Sequence, residues 1–237
     1  MNPRQFQPHR GVSPTEFLGT LNDVEARYSP ATLYLRGDAG LLRKGPRVAV
    51  IGSRRASAVG IRRAQVLAKA LVRHDMIVVS GLATGIDRAA HEAAIEAGGR
   101  TIAVIGTSLD DSYPKENADL QARIAREQLL VSQFAPGVPV RPKNFPMRNR
   151  TMALLTDASV IVEAGEHSGT LSQAWEALRL GRRLYLLSNV AADPTLSWSR
   201  ELIAFGAEVL EREHLDDALA DLPAMTVSHL DAFEELD

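Results

Sequence analysis

The 237-residue sequence contains no cysteine, which rules out disulfides and thiolate-bound metal and leaves a reducing compartment open. No apolar run approaches the roughly 20 residues that a helix needs to cross a bilayer. Met1 to Gly11 are polar and proline-punctuated, without the apolar centre of a secretory leader. These absences lead to the expectation of a cytoplasmic protein with no membrane partner. A basic excess is missing too: 27 Lys and Arg face 29 Asp and Glu, for a formal charge of -2. Any nucleic-acid site must therefore be local rather than spread over the surface. The cations are in fact gathered at Arg54, Arg55, Arg62 and Arg63 and again at Arg141, Lys143, Arg148 and Arg150, whereas the chain from Glu211 onward is acid-rich.

With 45% hydrophobic residues the chain carries enough apolar surface for one main core. Short β-branched runs alternate with amphipathic stretches, the pattern of a parallel sheet wrapped by crossover helices. Strands are expected near Val48–Ile51, Ile77–Ser80, Thr101–Ile105, Leu129–Val131, Val160–Glu163, Leu184–Leu187 and Glu208–Leu210, with a short one at Leu33–Leu35. Their nearly continuous apolar character suits strands covered on both faces, so the fold class is α/β, doubly wound, with helices on both faces of a mostly parallel sheet. Ala64, Leu67, Ala68 and Leu71 share one helical face, as do Leu171, Ala174, Trp175 and Leu178. Trp175 is thereby expected to pack in the core; the polar neighbours of Trp198 leave its place open. Residues 1–30 read as an extension with a helix from Pro14 to Ala26, opened by a Ser13/Glu16 capping box. Residues 31–222 form the main domain and 223–237 an acidic tail.

Ligands of open parallel sheets settle where strands end and helix N-termini begin. Four loops fit that position. The first, Gly52, Ser53 and Arg54, combines a backbone free of Cβ, a hydroxyl and a guanidinium fork. The second runs from Ser80 and Gly81 to Gly85 and Asp87, with His91 four residues further on. Asp87 and His91 share a helix face, but no third ligand stands at metal-binding spacing, so Asp87 reads as a cap or loop brace and His91 as a packed residue. The third, Arg141 to Arg150, sets Lys143, Phe145, Arg148, Asn149 and Arg150 within ten positions, a composition for phosphates plus one stacked base. Ion pairing of these cations with nearby acidic helices is the alternative. The fourth, Ser168, Gly169 and Thr170, opens the helix that carries Trp175.

In this order the loops resemble those of the DNA-processing protein A (Smf) family. The resemblance rests on VAVIGSRRAS at Val48–Ser57, VVSGLATGIDRAAHEAAIEAGGRTIAVIG at Val78–Gly106, YPKEN at Tyr113–Asn117, FPMRNRTMALLTDASVIVEA at Phe145–Ala164 and SGTL at Ser168–Leu171. It implies an extended Rossmann-like fold, single-stranded DNA held in a positive pocket, no catalysis and no cofactor, a homodimer, and delivery of DNA to a RecA-type recombinase during transformation. Carried over by position, Arg54 belongs to the GSR loop, Ser80, Gly81, Gly85 and Asp87 to the SGxAxGID segment, and Arg148, Asn149 and Arg150 to the RNR triplet. Lys143 and Phe145 align with a DNA-contacting stretch. The chain departs from the family pattern at Ser132–Gln133, Ser188–Asn189 and Ser199–Glu201.

Two other classes share these features. The segment from Arg150 to Gln173 is similar to nucleotide phosphoribohydrolases of the lysine-decarboxylase-like type. Those enzymes need a carboxylate three residues after the loop threonine, and Thr170 is followed at that distance by Gln173, an amide with no proton to exchange. A sensor or antitoxin-like module binding a nucleotide or nucleic acid would use the same pocket, because fold alone does not fix function.

Overall fold

The computed structural model describes residues 11–166 and 168–222. Nine strands among them form one sheet: β1 Gly11–Val12, β2 Leu33–Gly37, β3 Arg47–Gly52, β4 Ile77–Ser80, β5 Thr101–Ile105, β6 Leu129–Ser132, β7 Ala158–Glu163, β8 Arg183–Leu187 and β9 Glu208–Leu210. The helices between them are α1 Thr15–Leu18, α2 Asp23–Tyr28, α3 Ala58–Arg73, α4 Ile86–Glu96, α5 Ala118–Glu127, α6 Asn144–Leu154, α7 Thr170–Arg179, α8 Ser188–Ala191, α9 Ser197–Ala204 and α10 Leu215–Ala220. Spatial order is β1-β2-β6-β5-β4-β3-β7-β8-β9. The seven strands from β6 to β9 run parallel, and β1 and β2 close one edge antiparallel.

Strand β3 explains why the expected runs were continuous rather than alternating. Ala49 and Ile51 point into one core layer with Met152 of α6 and Ala174 of α7, while Val48 and Val50 point into the other with Leu67 and Leu71 of α3. A strand buried on both faces has no wet side to carry polar residues. The helical faces read from the sequence are the packed ones: Ala64, Leu67, Ala68 and Leu71 are all buried, and each leucine contributes roughly 2 kcal/mol of apolar burial. Trp175 packs against the core and meets Phe205 edge-on, with ring centroids 5.2 Å apart. Trp198 is 4% exposed and lies in the same layer, despite its serine neighbours.

The helix expected over Pro14–Ala26 is two helices. Gly19, at φ 68°, ends α1, a conformation that costs glycine little. Asn22 then caps α2, its side chain accepting from the N–H groups of Val24 (2.9 Å) and Glu25 (3.0 Å) while Glu25 accepts from the Asn22 N–H (2.9 Å). Ser13 keeps one arm of the anticipated box, its N–H donating to Glu16 at 3.1 Å. The stretch before residue 31 is tied to the main body: β1 pairs with β2, Val12 is buried, and Glu25 pairs with Arg182. The acidic stretch 223–237 and the first ten residues lie outside the described residues.

Strands β4, β5 and β6 build out from one side of β3, and β7, β8 and β9 from the other. The winding reverses at β3, which opens a crevice at the carboxyl ends of β3 and β7.

Candidate nucleic-acid interface

Two adjoining clefts occupy that crevice. One, of about 140 Å³, runs from Gly52 to the Ser168–Thr170 turn and is floored by Met152 and Gln173. The other, of about 230 Å³, lies toward β5 and is walled by Thr84, Gly106, Tyr113 and Glu116. Arg54, Ala83, Phe145 and Arg148 line both. The partition is a stack: the Arg54 guanidinium lies 5.4 Å from the Phe145 ring centroid, and Tyr113 meets that ring at 5.2 Å. Gly106 makes room for the ring, since a Cβ there would stand 2.8 Å from Phe145 Cδ1.

The loop amides are not equally available. At the start of α3, the Glu163 carboxylate accepts from the Ser57 N–H (2.8 Å) and the Ser57 hydroxyl, which in turn accepts from the Gly60 N–H (2.9 Å). In the second loop, Asp87 Oδ2 accepts from the N–H groups of Gly81 (3.1 Å) and Ala83 (3.3 Å). The first two of the four loops foreseen in the sequence thus have amides taken up by the protein's own carboxylates. Asp87 is the loop brace that its position suggested; burial raises its pKa, and Arg148 opposes the rise. The N-terminus of α7 faces the smaller cleft, with Ser168 accepting from the Thr170 N–H at 3.2 Å.

Ten of the expected site residues line the two clefts: Gly52, Arg54, Gly81, Asp87, Phe145, Arg148, Asn149, Ser168, Gly169 and Thr170. Arg148 is only 5% exposed. Its Nη1 donates to the Val104 carbonyl at 3.0 Å, and burial lowers the guanidinium's pKa against the pull of Asp87. Its Nε has no hydrogen-bond partner among the described residues. Gly85 shapes the loop instead of facing the clefts: its φ of 76° and its approach to the Ser53 carbonyl exclude a side chain. Ser53 gives its N–H to the Glu163 carbonyl at 2.7 Å and its hydroxyl oxygen to the Arg55 N–H at 3.2 Å.

Two residues serve other ends. Ser80 is fully buried, and its hydroxyl donates to the Val50 carbonyl at 2.6 Å, joining β4 to β3. Arg150 lies on another side of α6, paired with Glu176 at 2.9 Å and set over the Tyr28 ring at 5.1 Å. For Arg150, ion pairing with a glutamate of the neighbouring helix α7 is what the structure shows. Lys143 and Arg141 are exposed just before Phe145 and make no ion pair among the described residues. Tyr113, Thr84 and Glu163 were not singled out in the sequence. Tyr113 stood inside a recognisable YPKEN segment, but its contact with Phe145 spans 32 positions and leaves no local signal.

Gln173 is 1% exposed. With its amide oriented to satisfy both neighbours, its nitrogen donates to the Asn149 carbonyl at 2.6 Å and its oxygen accepts from the Ala153 N–H at 3.3 Å. The position where a phosphoribohydrolase needs a carboxylate is therefore a bonded structural amide.

A doubly wound sheet with an arginine–aromatic partition at its switch point defines a Rossmann-like protein. Residues 15–223 match the family model for DNA recombination-mediator protein A, and the chain belongs to that family. It is 35% identical over 204 residues to the DNA processing protein DprA of Bacillus subtilis, covering 86% of this chain and 68% of that protein. Against the Streptococcus pneumoniae DprA it is 39% identical over 182 residues, spanning 77% of this chain and 64% of that relative's length. The solved S. pneumoniae structure superposes with a TM-score of 0.77 at 35% identity, over 92% of this chain and 76% of that one. A Helicobacter pylori DNA processing protein A, described for its single-stranded DNA binding mode, superposes with a TM-score of 0.76 at 27% identity over 90% of this chain and 95% of that one. Among the described residues, no helix is long and apolar enough to cross a membrane.

Proposed function

We propose that the chain, like the H. pylori relative described for its single-stranded DNA binding mode, binds single-stranded DNA, that it does so without catalysis, and that it passes the DNA to a RecA-type recombinase in the cytoplasm during transformation or recombination. The observation that carries the reading is the Arg54–Phe145 stack shared by the two clefts. A guanidinium beside an aromatic face gives one phosphate contact and one base platform at the same point. That pairing suits a single strand, whose bases are free to stack. Exposed Arg54, Arg55, Arg141 and Lys143 supply charge around the mouth, and buried Arg148 holds the loops in register beneath it. The α7 N-terminus adds a partial positive charge to the smaller cleft.

A homodimer fits the far edge of the sheet. Strand β9 is terminal, and Ile203, Phe205 and Val209 around it are exposed, Phe205 by 65%. An edge left unpaired among the described residues and flanked by apolar side chains is a natural pairing surface.

The test is titration of fluorescent single- and double-stranded oligonucleotides at several salt concentrations, with nucleoside monophosphates as competitors. Salt-sensitive preference for single strands supports the reading. Saturable binding of a mononucleotide with no oligonucleotide binding would replace it with a nucleotide-sensing module.

A further inference from the structure

A second recess lies on the opposite layer, between α3 and the carboxyl ends of β8 and β9. It measures about 420 Å³ and has apolar walls from Val59, Val66, Leu187, Leu210 and Leu215. Val59 and Val66, seven positions apart on one helix, are exposed by 44% and 52% and are flanked by polar residues, as apolar patches at contact surfaces are. Arg62, Arg63 and Arg212 stand along the same groove and form no ion pair among the described residues, and Glu211 is its one acid. The groove thus combines an apolar floor with an excess of two positive charges.

We propose that the groove is the docking site of this chain's own acidic segment, Pro223–Asp237. That segment carries Asp231, Glu234, Glu235 and Asp237 and no lysine or arginine. Val227, Leu230, Phe233 and Leu236 recur at every third position between the acids. Its chemistry is the complement of the groove: apolar side chains for the valine and leucine walls, carboxylates for the three guanidinium groups. Connectivity favours it as well. Leu215 lines the groove at the start of α10, and Leu219 and Leu222, the last described residue, pack in the same layer as Leu67 and Leu210. Fifteen residues leaving from that point reach up to about 50 Å when extended, so the groove is well within range. A tether this short holds the segment at an effective concentration on the order of millimolar. A free peptide or a second copy at micromolar concentration competes poorly with it.

The absence of cysteine makes a clean test available in the full chain. Val66→Cys combined with Phe233→Cys, or with Leu230→Cys, is oxidised mildly at dilute protein concentration, and the intramolecular disulfide is followed by non-reducing electrophoresis. The same pairs are placed in an Arg62→Glu/Arg63→Glu background, where the tether is identical and only the groove charge is reversed. The reactivity of Val66→Cys alone toward a neutral thiol reagent normalises for the effect of nearby charge on the thiolate. Rapid intramolecular closure, slowed about tenfold or more by the reversal and by 1 M salt, supports the proposal. Equal normalised rates in both backgrounds overturn it, because the tether alone then accounts for closure. Cross-linking mainly between chains also overturns it and makes a second copy the occupant. Neither variant touches the DNA clefts, so the outcome is independent of the DNA-binding reading.

Discussion

The guanidinium of Arg148 lies directly against the α-carbon of Gly81, in the space that any side chain at position 81 would fill. The glycine of the second loop thus admits an arginine from α6 rather than a phosphate. Gly81→Ala is expected to force the two apart, at an overpacking cost of about 1–3 kcal/mol. In an Arg148→Ala background the conflict disappears, so the same alanine should cost under about 0.5 kcal/mol there. A double-mutant cycle read by urea unfolding measures this, and additive costs would refute the packing account.

Arg54 and Arg150 separate charge that reaches the ligand from charge used internally. Arg54→Ala should lower the slope of log affinity against log salt for single-stranded DNA by about 0.7, the value for one phosphate contact. Arg150→Ala should leave the slope unchanged, since its partners are Glu176 and Tyr28, and should reduce stability by no more than about 1 kcal/mol. Equal loss of slope in both variants would return Arg150 to the interface.

The difference between these two arginines marks where sequence reading ends. Strand positions were legible because burial on both faces leaves a continuous apolar run, and Ile77–Ser80, Thr101–Ile105 and Glu208–Leu210 have the bounds expected. The places of the loops were legible because glycine and serine recur directly after the apolar runs of β3 and β4. The direction of each side chain was not. Arg148 and Arg150 are two positions apart on α6, about 200° around the helix; one enters the clefts while the other turns to α7. The closure of the α3 N-terminus by Glu163, 106 positions from Ser57, likewise has no local sequence signature.

His91 makes stability pH-dependent. It is fully buried; Thr101 donates its hydroxyl to the Val78 carbonyl (2.8 Å) and so accepts from His91 Nδ1 (2.7 Å). Burial pulls its pKa from 6.5 to about 3. A folded pKa below the unfolded one means that the unfolded chain binds the proton first. The neutral histidine's contribution is therefore complete above pH 6.5 and lost progressively as pH falls toward 3, by roughly 2 kcal/mol at pH 5. His91→Gln should flatten that limb when urea midpoints are compared from pH 7 to 4.5. A wild-type profile matching the variant's would show that this imidazole is not the group responsible.

At the opposite end of the sheet, Arg47 and Asp157 form a pair whose side chains are 0% and 1% exposed, with Nε 3.5 Å from Oδ2. Asp157 also accepts from the Arg47 backbone N–H at 2.7 Å, and Arg47 Nη1 donates to the Leu42 carbonyl at 2.6 Å. Burial lowers the guanidinium's pKa and Asp157 resists the change, so each charge depends on the other for its place in the core. Asp157→Ala or Arg47→Ala breaks this buried ion pair and should cost about 3–5 kcal/mol. Arg47→Met combined with Asp157→Leu removes both charges and should cost less than either single change, because neither buried charge remains. The pair sits at the amino ends of β3 and β7, away from the clefts, so the double variant should bind single-stranded DNA with unchanged affinity and salt slope. If the double variant instead loses the sum of the single costs, the two residues act independently and the ion pair is not what ties β3 to β7.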